Sequence, residues 1–414
     1  MSFRFFCFLG AASVAGAQST PLSLDDSIRL AWANDPTVAA LTLAPGLAKA
    51  REEQAGIRPN AEVEFTAATP TPLKNESEWS LGVGVSQRLP RRERIEQARA
   101  FARLGGESTA LHLSEQRRQL AGEVRRLYYH TVVQQTRRDV AGRTLATQRE
   151  LAASLERRRA AGEIAAADID ILALEITRAE QALAFADAEL VASTQRLRGR
   201  LRLPAGSPLT LSATFETLLA RPVPAAPTTL ETARPTLALA ALAIRQAEAA
   251  VSLARSESRP DWTVGGGVEF ERRTNDFTGR LENDPRLRVR ASVPWPRRVA
   301  NRGDILEKQT ALRIAEAERA AAQNELTAEI AAAVAVVRAL QPVLLVHQSS
   351  LAPGGALPET LRTAYERGEV TALQLAQARQ QRFALETDFL HAAALYATAL
   401  AEAETAAGAV PPQP

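Results

Sequence analysis

Two kinds of hydrophobic spacing alternate along the chain. Four short stretches change character at every residue. Residues 61–69 set Val63, Phe65 and Ala67 on one face, and residues 79–88 do the same with Leu81, Val83 and Val85. Residues 262–271 put Trp262, Val264, Gly266, Val268 and Phe270 on one face, with Thr263, Glu269 and Glu271 opposite. Residues 286–295 set Leu287, Val289, Ala291 and Val293 against Arg286, Arg288, Arg290 and Ser292. Period two predicts strands with one apolar and one wet face. Between them lie Ala- and Leu-rich stretches that read as helix: 22–57, 92–161 and 166–201 in the first half of the chain. In 166–201, Ile169, Ile176, Leu183, Leu190 and Leu197 recur at strict sevens, which predicts a coiled-coil seam. Ala179, Ala186 and Ser193 between them are small enough for close approach. Leu375, Phe389, Tyr396 and Ala403 repeat that phase in the second half, with Arg382 interrupting it.

The pattern is duplicated. Pro36 and Pro235 stand at an offset of 199, Arg58-Pro59 and Arg259-Pro260 at 201, and Leu89-Pro90-Arg91-Arg92 and Trp295-Pro296-Arg297-Arg298 at 206. Ala161-Gly162-Glu163-Ile164 and Arg367-Gly368-Glu369-Val370 again stand at 206, so the segment between these two anchors kept its length. Rigid elements hold length and loops absorb change. Each half therefore reads as helix, hairpin, long helix, shorter helix. The first repeat covers 18–203, with a hairpin at 61–88, a long helix 92–161 and a helix 166–201. An inter-repeat linker or equatorial segment follows at 204–235. The second repeat covers 236–405, with a hairpin at 262–295, a helix 297–367 broken by Pro342 and the Pro353–Pro358 cluster, and a helix 371–405. A tail, 406–414, ends the chain. The long helix of 92–161 would measure about 105 Å at 1.5 Å per residue. Gly368 followed by Thr371 and Gln374 reads as a helix stop and a capping box; Ala165 stands where the first repeat lacks the capping hydroxyl.

The beginning of the chain changes where these elements are expected to act. Arg4, the apolar run Phe5–Val14 and Ala15-Gly16-Ala17 form a signal peptide, 1–17, and place the protein outside the cytoplasm. Cys7, the single cysteine, lies in that segment, so no disulfide framework is expected. No later stretch offers the ~18 uncharged apolar residues of a membrane helix. Entry into a membrane would have to use strands. An ordinary half-buried soluble sheet makes the same alternation. Strand lengths near 9–10 residues, Trp79, Trp262 and Trp295 at strand ends, and export favour a membrane wall. The polar stretches 70–78 and 272–285 would then be outer loops.

Composition narrows the chemistry. Among 414 residues, 50 basic and 47 acidic side chains leave a net charge of +3, so nucleic acid is not an expected partner. Lys occurs only at 49, 74 and 308, so nearly all the basic residues are Arg. His112, His130, His347 and His391 stand singly on helical stretches, which argues against a metal site. Gly265-Gly266-Gly267 lacks the Lys-Ser/Thr of a phosphate loop and reads as small residues in a crowded strand. Neither a catalytic constellation nor a cofactor site is expected, and the protein is not expected to be an enzyme.

The duplicated plan and the two Gly-Glu-Ile/Val tips resemble the TolC-type outer-membrane factors over nearly the whole mature chain. Gln87-Arg88-Leu89-Pro90-Arg91-Arg92, and Val293-Pro294-Trp295-Pro296 followed by Asn301-Arg302-Gly303, resemble the heavy-metal (cobalt–zinc–cadmium, copper–silver) branch. The resemblance implies a mainly α protein with a membrane β-barrel. Three copies would build a twelve-strand outer-membrane barrel that continues into a periplasmic α-helical barrel. It implies the exit duct of a tripartite efflux system, working with a periplasmic adaptor and an inner-membrane RND-type pump. Adaptor docking would fall at the tips, Gly162, Glu163, Ile164, Gly368, Glu369 and Val370. A periplasmic gate would fall at Gln374, Gln377 and Glu369, with amides where relatives often carry acids. Arg286, Arg288, Arg290, Glu269 and Glu271 would face the barrel lumen. A type I protein-secretion duct and an exported coiled-coil scaffold that never enters the membrane are the alternatives.

Overall fold

The structure, a computed structural model, describes residues 21–69, 78–160, 166–224, 234–274, 278–294, 302–351, 360, 363–364, 367, 369–370 and 372–408. The chain order is α1 (Leu24–Asn34), α2 (Pro36–Ala55), β1 (Glu62–Ala68), β2 (Trp79–Leu89), α3 (Arg92–Ala160), α4 (Ala166–Arg200), α5 (Phe215–Leu219), α6 (Pro235–Glu257), β3 (Trp262–Thr274), β4 (Leu281–Ser292), α7 (Arg302–Leu351) and α8 (Ala372–Ala406). These elements divide into two compact units. A sheet unit holds residues 36–117 and 227–328; a helical unit holds 1–35, 118–226 and 329–414.

In the sheet unit the four strands form one antiparallel sheet in the order β1-β2-β3-β4. Glu62 lies opposite Ser86 in the first hairpin and Thr263 opposite Ser292 in the second. Adding the sequence offsets of 201 and 206 to the first pair gives the second, so the duplication holds to the residue. β3 and β4 run longer than their alternation suggested, to Thr274 and from Leu281, because the pairing continues through Arg272, Asn283 and Pro285. The segment expected as a loop at 272–285 is therefore mostly ladder. Pro285 is tolerated because β4 is an edge strand. The expected outer loop at 70–78 lies, apart from Glu78, outside the described residues, as does Trp295.

In the helical unit the seam has two rows. Leu172, Ala179, Ala186 and Ser193 are buried at sevens, flanked by the half-buried row Ile169, Ile176, Leu183 and Leu190, which ends in buried Leu197. The small residues are the more deeply covered, as close helix approach requires. Leu151, Leu155 and Leu172 form a local core between α3 and α4. Across the same pair, Arg138 meets Asp187 at 3.2 Å and Arg149 meets Glu180 at 2.7 Å. In α8, Leu375, Phe389, Tyr396 and Ala403 are buried. Arg382, on the same stripe, pairs with Glu386 at 3.0 Å, whose other oxygen accepts from Thr144 Oγ1 at 3.3 Å.

Three expectations need correction. The opening helix of 22–57 is two helices, because Asp35, preceding Pro36, is held extended at φ −81°, ψ 118°. The second long helix does not break at Pro342; α7 runs through it to Leu351. The 352–359 stretch with its Pro cluster lies outside the described residues. The linker of 204–235 is partly built structure. Leu22 bridges Leu211, α5 opens with a Thr214/Thr217 capping box, and Phe215 packs edge-on to Phe389 at 5.6 Å. Tyr128 Oη donates to the Leu22 carbonyl at 2.9 Å and accepts from the Ala213 amide at 3.3 Å, which fastens this segment to α3.

Candidate functional site: a two-faced wall

Register assigns every strand residue to a face. One face carries Val63, Phe65, Leu81, Val83, Val85, Val264, Val268, Phe270, Leu287 and Val289, and all ten are exposed. Leu287 and Val289 are 80% and 83% exposed, values that a soluble sheet would reduce by covering them with a second layer. Trp79 and Trp262 stand on this same face at strand ends and are also exposed.

The opposite face is ionic. Arg286, Arg288, Arg290, Glu269 and Glu271 all lie on it, as the alternation predicted. Arg286 meets Glu271 at 2.6 Å and Asp284 at 3.1 Å, and Arg288 pairs with Glu269, which is buried beneath it. Arg290 reaches Glu64 at 3.2 Å. That last bridge joins the two edge strands. In a flat sheet three spacings of about 4.8 Å would separate them, roughly 14 Å, at the limit of the two side chains. The sheet curls toward its charged face instead.

Glycines make the curl possible. A Cβ on Gly267 would lie 2.6 Å from the Val83 carbonyl oxygen and 2.7 Å from Gly84 Cα. On Gly265 it would lie 2.9 Å from the Val85 carbonyl oxygen, and on Gly82 2.5 Å from Thr66 Oγ1. Four of the five glycines of this seam, Gly82, Gly84, Gly265 and Gly267, are on the charged face. Crowding on that face identifies it as concave, so the apolar face is convex and outward.

Glu64 is the functional residue that sequence reasoning missed. Its signal was present in Glu62-Val63-Glu64-Phe65, where acids alternate with apolar residues as Arg does in β4. A second missed cluster closes the sheet's far end. Asp261, its side chain 2% exposed, takes Arg94 at 2.6 Å and Arg88 at 3.1 Å on one oxygen. Arg94 continues to Glu257 at 3.2 Å, and Arg259 meets Glu93 at 2.8 Å.

Two helices each contain an 18-residue window apolar enough to cross a membrane, Pro235–Glu257 (mean hydropathy of the window 1.4) and Arg302–His347 (1.8). In the first, Arg245 is tied to Glu107 at 3.0 Å, an ion pair that hydrocarbon would not tolerate cheaply. In the second, the apolar stretch 330–346 carries Arg338 and Pro342 at its middle, and a central Arg costs about 2.5–3.5 kcal/mol on insertion scales. Leu326, Ile330, Val334, Val337 and Leu344 are already buried in the fold. Neither helix reads as a membrane span.

The tip residues Gly162, Glu163, Ile164 and Gly368 lie outside the described residues. Glu369 is exposed and Val370 half-buried, and Gln374 and Gln377 on the first turns of α8 are both exposed. Among the described residues no group of three or more His, Cys, Asp or Glu is placed to hold a metal ion.

No protein-family model and no curated protein matches the chain. Solved structures do. The CusC transmembrane channel is similar with a TM-score of 0.73 at 17% identity, over 93% of this chain and 92% of that one. The outer-membrane channel OprN matches with a TM-score of 0.73 at 16% identity, over 93% and 89% of the two chains. The open-state outer-membrane channel MtrE of Neisseria gonorrhoeae matches at 0.70 and 18%, over 93% and 88%. This chain has the fold of the outer-membrane channels. The expected mainly α architecture with a duplicated hairpin–long-helix module is that fold.

Proposed function

We propose that the protein is a TolC-type outer-membrane factor, the exit duct of a tripartite efflux system. The observation that carries this reading is the sheet with two incompatible faces. Its convex side is uncovered and apolar, and its concave side is a network of Arg–carboxylate pairs. Lipid outside and water inside satisfy both. Four strands cannot close a barrel, and open edges are not stable in lipid. Copies must combine, and three would give twelve strands, an even number within the range of outer-membrane barrels. The helical unit supplies the periplasmic part of the duct. Its tips, Gly162–Ile164 and Gly368–Val370, meet a periplasmic adaptor that hands on solutes from an inner-membrane RND-type pump. Gln374, Gln377 and Glu369 line the closed end. The protein performs no chemistry and passes small solutes, metal cations among them; the strand-to-helix exits at Arg88–Arg92 and Val293–Gly303 favour the heavy-metal branch.

Fractionation and conductance test this. The exported chain should sediment with outer membranes as an oligomer that dissociates on heating, and the purified oligomer should form channels in planar bilayers. A monomer recovered from the periplasm, with no channel activity, would return the protein to the class of exported scaffolds.

A further inference from the structure

The convex face of the sheet carries a single charge. Its strand positions are apolar or neutral except for Arg272, near the hairpin end of β3. Register sets Arg272 directly between Trp79 on β2 and Asn283 on β4, and all three are exposed. The next positions on the same face are Leu81, Phe270 and Pro285, where the apolar wall begins. On the concave face Arg286, Arg288 and Arg290 each hold a carboxylate. Among the described residues Arg272 takes part in no ion pair.

An uncompensated guanidinium fits a lipid-facing wall only where that wall meets water, and the strand gives the depth. Trp262 and Arg272 bound the apolar stretch of β3 and stand ten residues apart. At about 3.4 Å per residue and a tilt of about 40°, that distance covers ~26 Å along the membrane normal, against ~25 Å for the apolar band of outer-membrane barrels. Trp262 therefore marks one interface, and Trp79 with Arg272 marks the other. Trp262 and Leu89 lie at the end where the sheet runs into α6 and α3. With the helices on the periplasmic side, Arg272 stands at the outer leaflet.

We propose that Trp79, Arg272 and Asn283 bind the phosphate of an outer-leaflet lipid headgroup, at one site per chain. This rests on the duct reading and adds a lipid ligand to its outer rim. The guanidinium offers a fork of donors that matches two phosphate oxygens. The Trp79 indole N–H and the Asn283 amide are further donors on either side of it. Residues directly opposite in such a ladder have Cβ atoms about 4.5–5.5 Å apart, so the three donors reach one phosphate. Leu81, Phe270 and Pro285 form the shelf below them, against which an acyl chain lies. That shelf contributes to a lipid and nothing to a free phosphate ion, which selects the lipid as occupant. The second hairpin does not repeat the site on its own, because the offset of 206 carries Trp79 to Pro285.

Lipid retention tests the site. The oligomer is reconstituted in phosphatidylcholine vesicles that contain a minor fraction of bis-phosphorylated lipid A, then released into mild detergent. Native mass spectrometry counts the lipid A that stays bound. The parent should retain one lipid A per chain. Arg272→Gln should bind it about tenfold more weakly or worse, as expected for loss of a charged hydrogen-bonding partner. Arg272→Lys, which keeps the charge, should retain most of it. Arg273→Gln, one residue away on the concave face, should match the parent, and added inorganic phosphate should not displace the lipid. Each variant should still run as the heat-modifiable oligomer of the parent, which separates lost binding from lost folding. Undiminished retention by Arg272→Gln, equal loss in Arg273→Gln, or displacement by inorganic phosphate would overturn the proposal. If the parent forms channels but retains no lipid A, the site is wrong and the duct reading stands. If the parent forms no membrane oligomer at all, both fall.

Discussion

Removing Glu404 should damage the helical unit more than any other single carboxylate. Its side chain is 8% exposed, accepts from Arg221 at 2.7 Å and Tyr129 Oη at 2.6 Å, and forms an ion pair with Arg125 at 2.9 Å. Burial, together with the neighbouring carboxylate, pushes the Tyr129 phenol far above its ordinary value, so it remains a donor at every working pH. Arg125 is 4% exposed and also donates to Thr405 Oγ1 at 2.9 Å. Arg221 is 41% exposed and can turn to water, so its loss weighs little. Glu404→Ala therefore takes the carboxylate away from one buried guanidinium and one buried phenol. Breaking a buried ion pair in this way costs about 3–5 kcal/mol. At about 2–4 °C per kcal/mol for a unit of this size, the apparent Tm should fall by roughly 6–20 °C. Glu404→Met combined with Arg125→Met removes both charges and should recover most of the loss, because apolar replacement of a buried pair is often neutral. Thermal unfolding of the detergent-solubilised protein, followed by far-ultraviolet circular dichroism, measures both variants. A fall of under about 3 °C for Glu404→Ala, or a double variant as unstable as the single one, would refute the reasoning.

Adjacent glycines give opposite expectations. Gly267→Val points into the Val83 carbonyl and should abolish the heat-modifiable oligomer, whereas Gly266→Val, on the apolar face with its nearest neighbour at 3.6 Å, should leave it intact. His130 is held below its ordinary value of 6.5 by burial and by Arg196, against the opposing pull of Glu189. The unfolded chain therefore binds the extra proton first, and stability should be lost as pH falls from about 6.5 through the lower folded value. His130→Gln should flatten that decline in thermal melts between neutral and mildly acidic buffer. For the proposed gate at Gln374 and Gln377, a ring of amides selects weakly between ions, whereas a ring of carboxylates favours cations. Gln374→Asp with Gln377→Asp should raise cation selectivity and introduce divalent-cation block in single-channel recordings; conduction identical to the parent would remove these residues from the gate.

Much of this architecture was legible because repetition and periodicity are local signals. The ends of α3 and α4 fell within a residue of expectation, since Pro90 and Gly162 interrupt the helical pattern of the sequence. The Ile169–Leu197 heptads marked the seam, but the more deeply buried row was the small one, since packing density between helices depends on what is absent as much as on what is present. Pro342 misled because a proline breaks a helix only where the neighbouring turn cannot yield, and α7 absorbs it. β4 was read too short because Pro285, Asp284 and Asn283 are turn formers that pairing with β3 overrides. The Glu64–Arg290 bridge and the Asp261 cluster were invisible for a simpler reason. Their partners are brought together by the sheet's curl and by its junction with α3 and α6, and no spacing along the chain encodes that.

Accessibility across β4 tests the central claim most directly. Arg288 and Val289 are neighbours in sequence and point to opposite faces of the sheet. Placing Arg288 on the lipid side would cost about 2–4 kcal/mol at the bilayer midplane. Cysteine at each position, one at a time, is treated in intact outer-membrane vesicles with a membrane-impermeant maleimide, alongside a lipid-soluble one. Cysteine at Arg288 should react with the impermeant reagent, and cysteine at Val289 only with the lipid-soluble one. Impermeant labelling of position 289 with protection of 288 would contradict the account, and equal labelling of both would mean that the sheet is not a membrane wall.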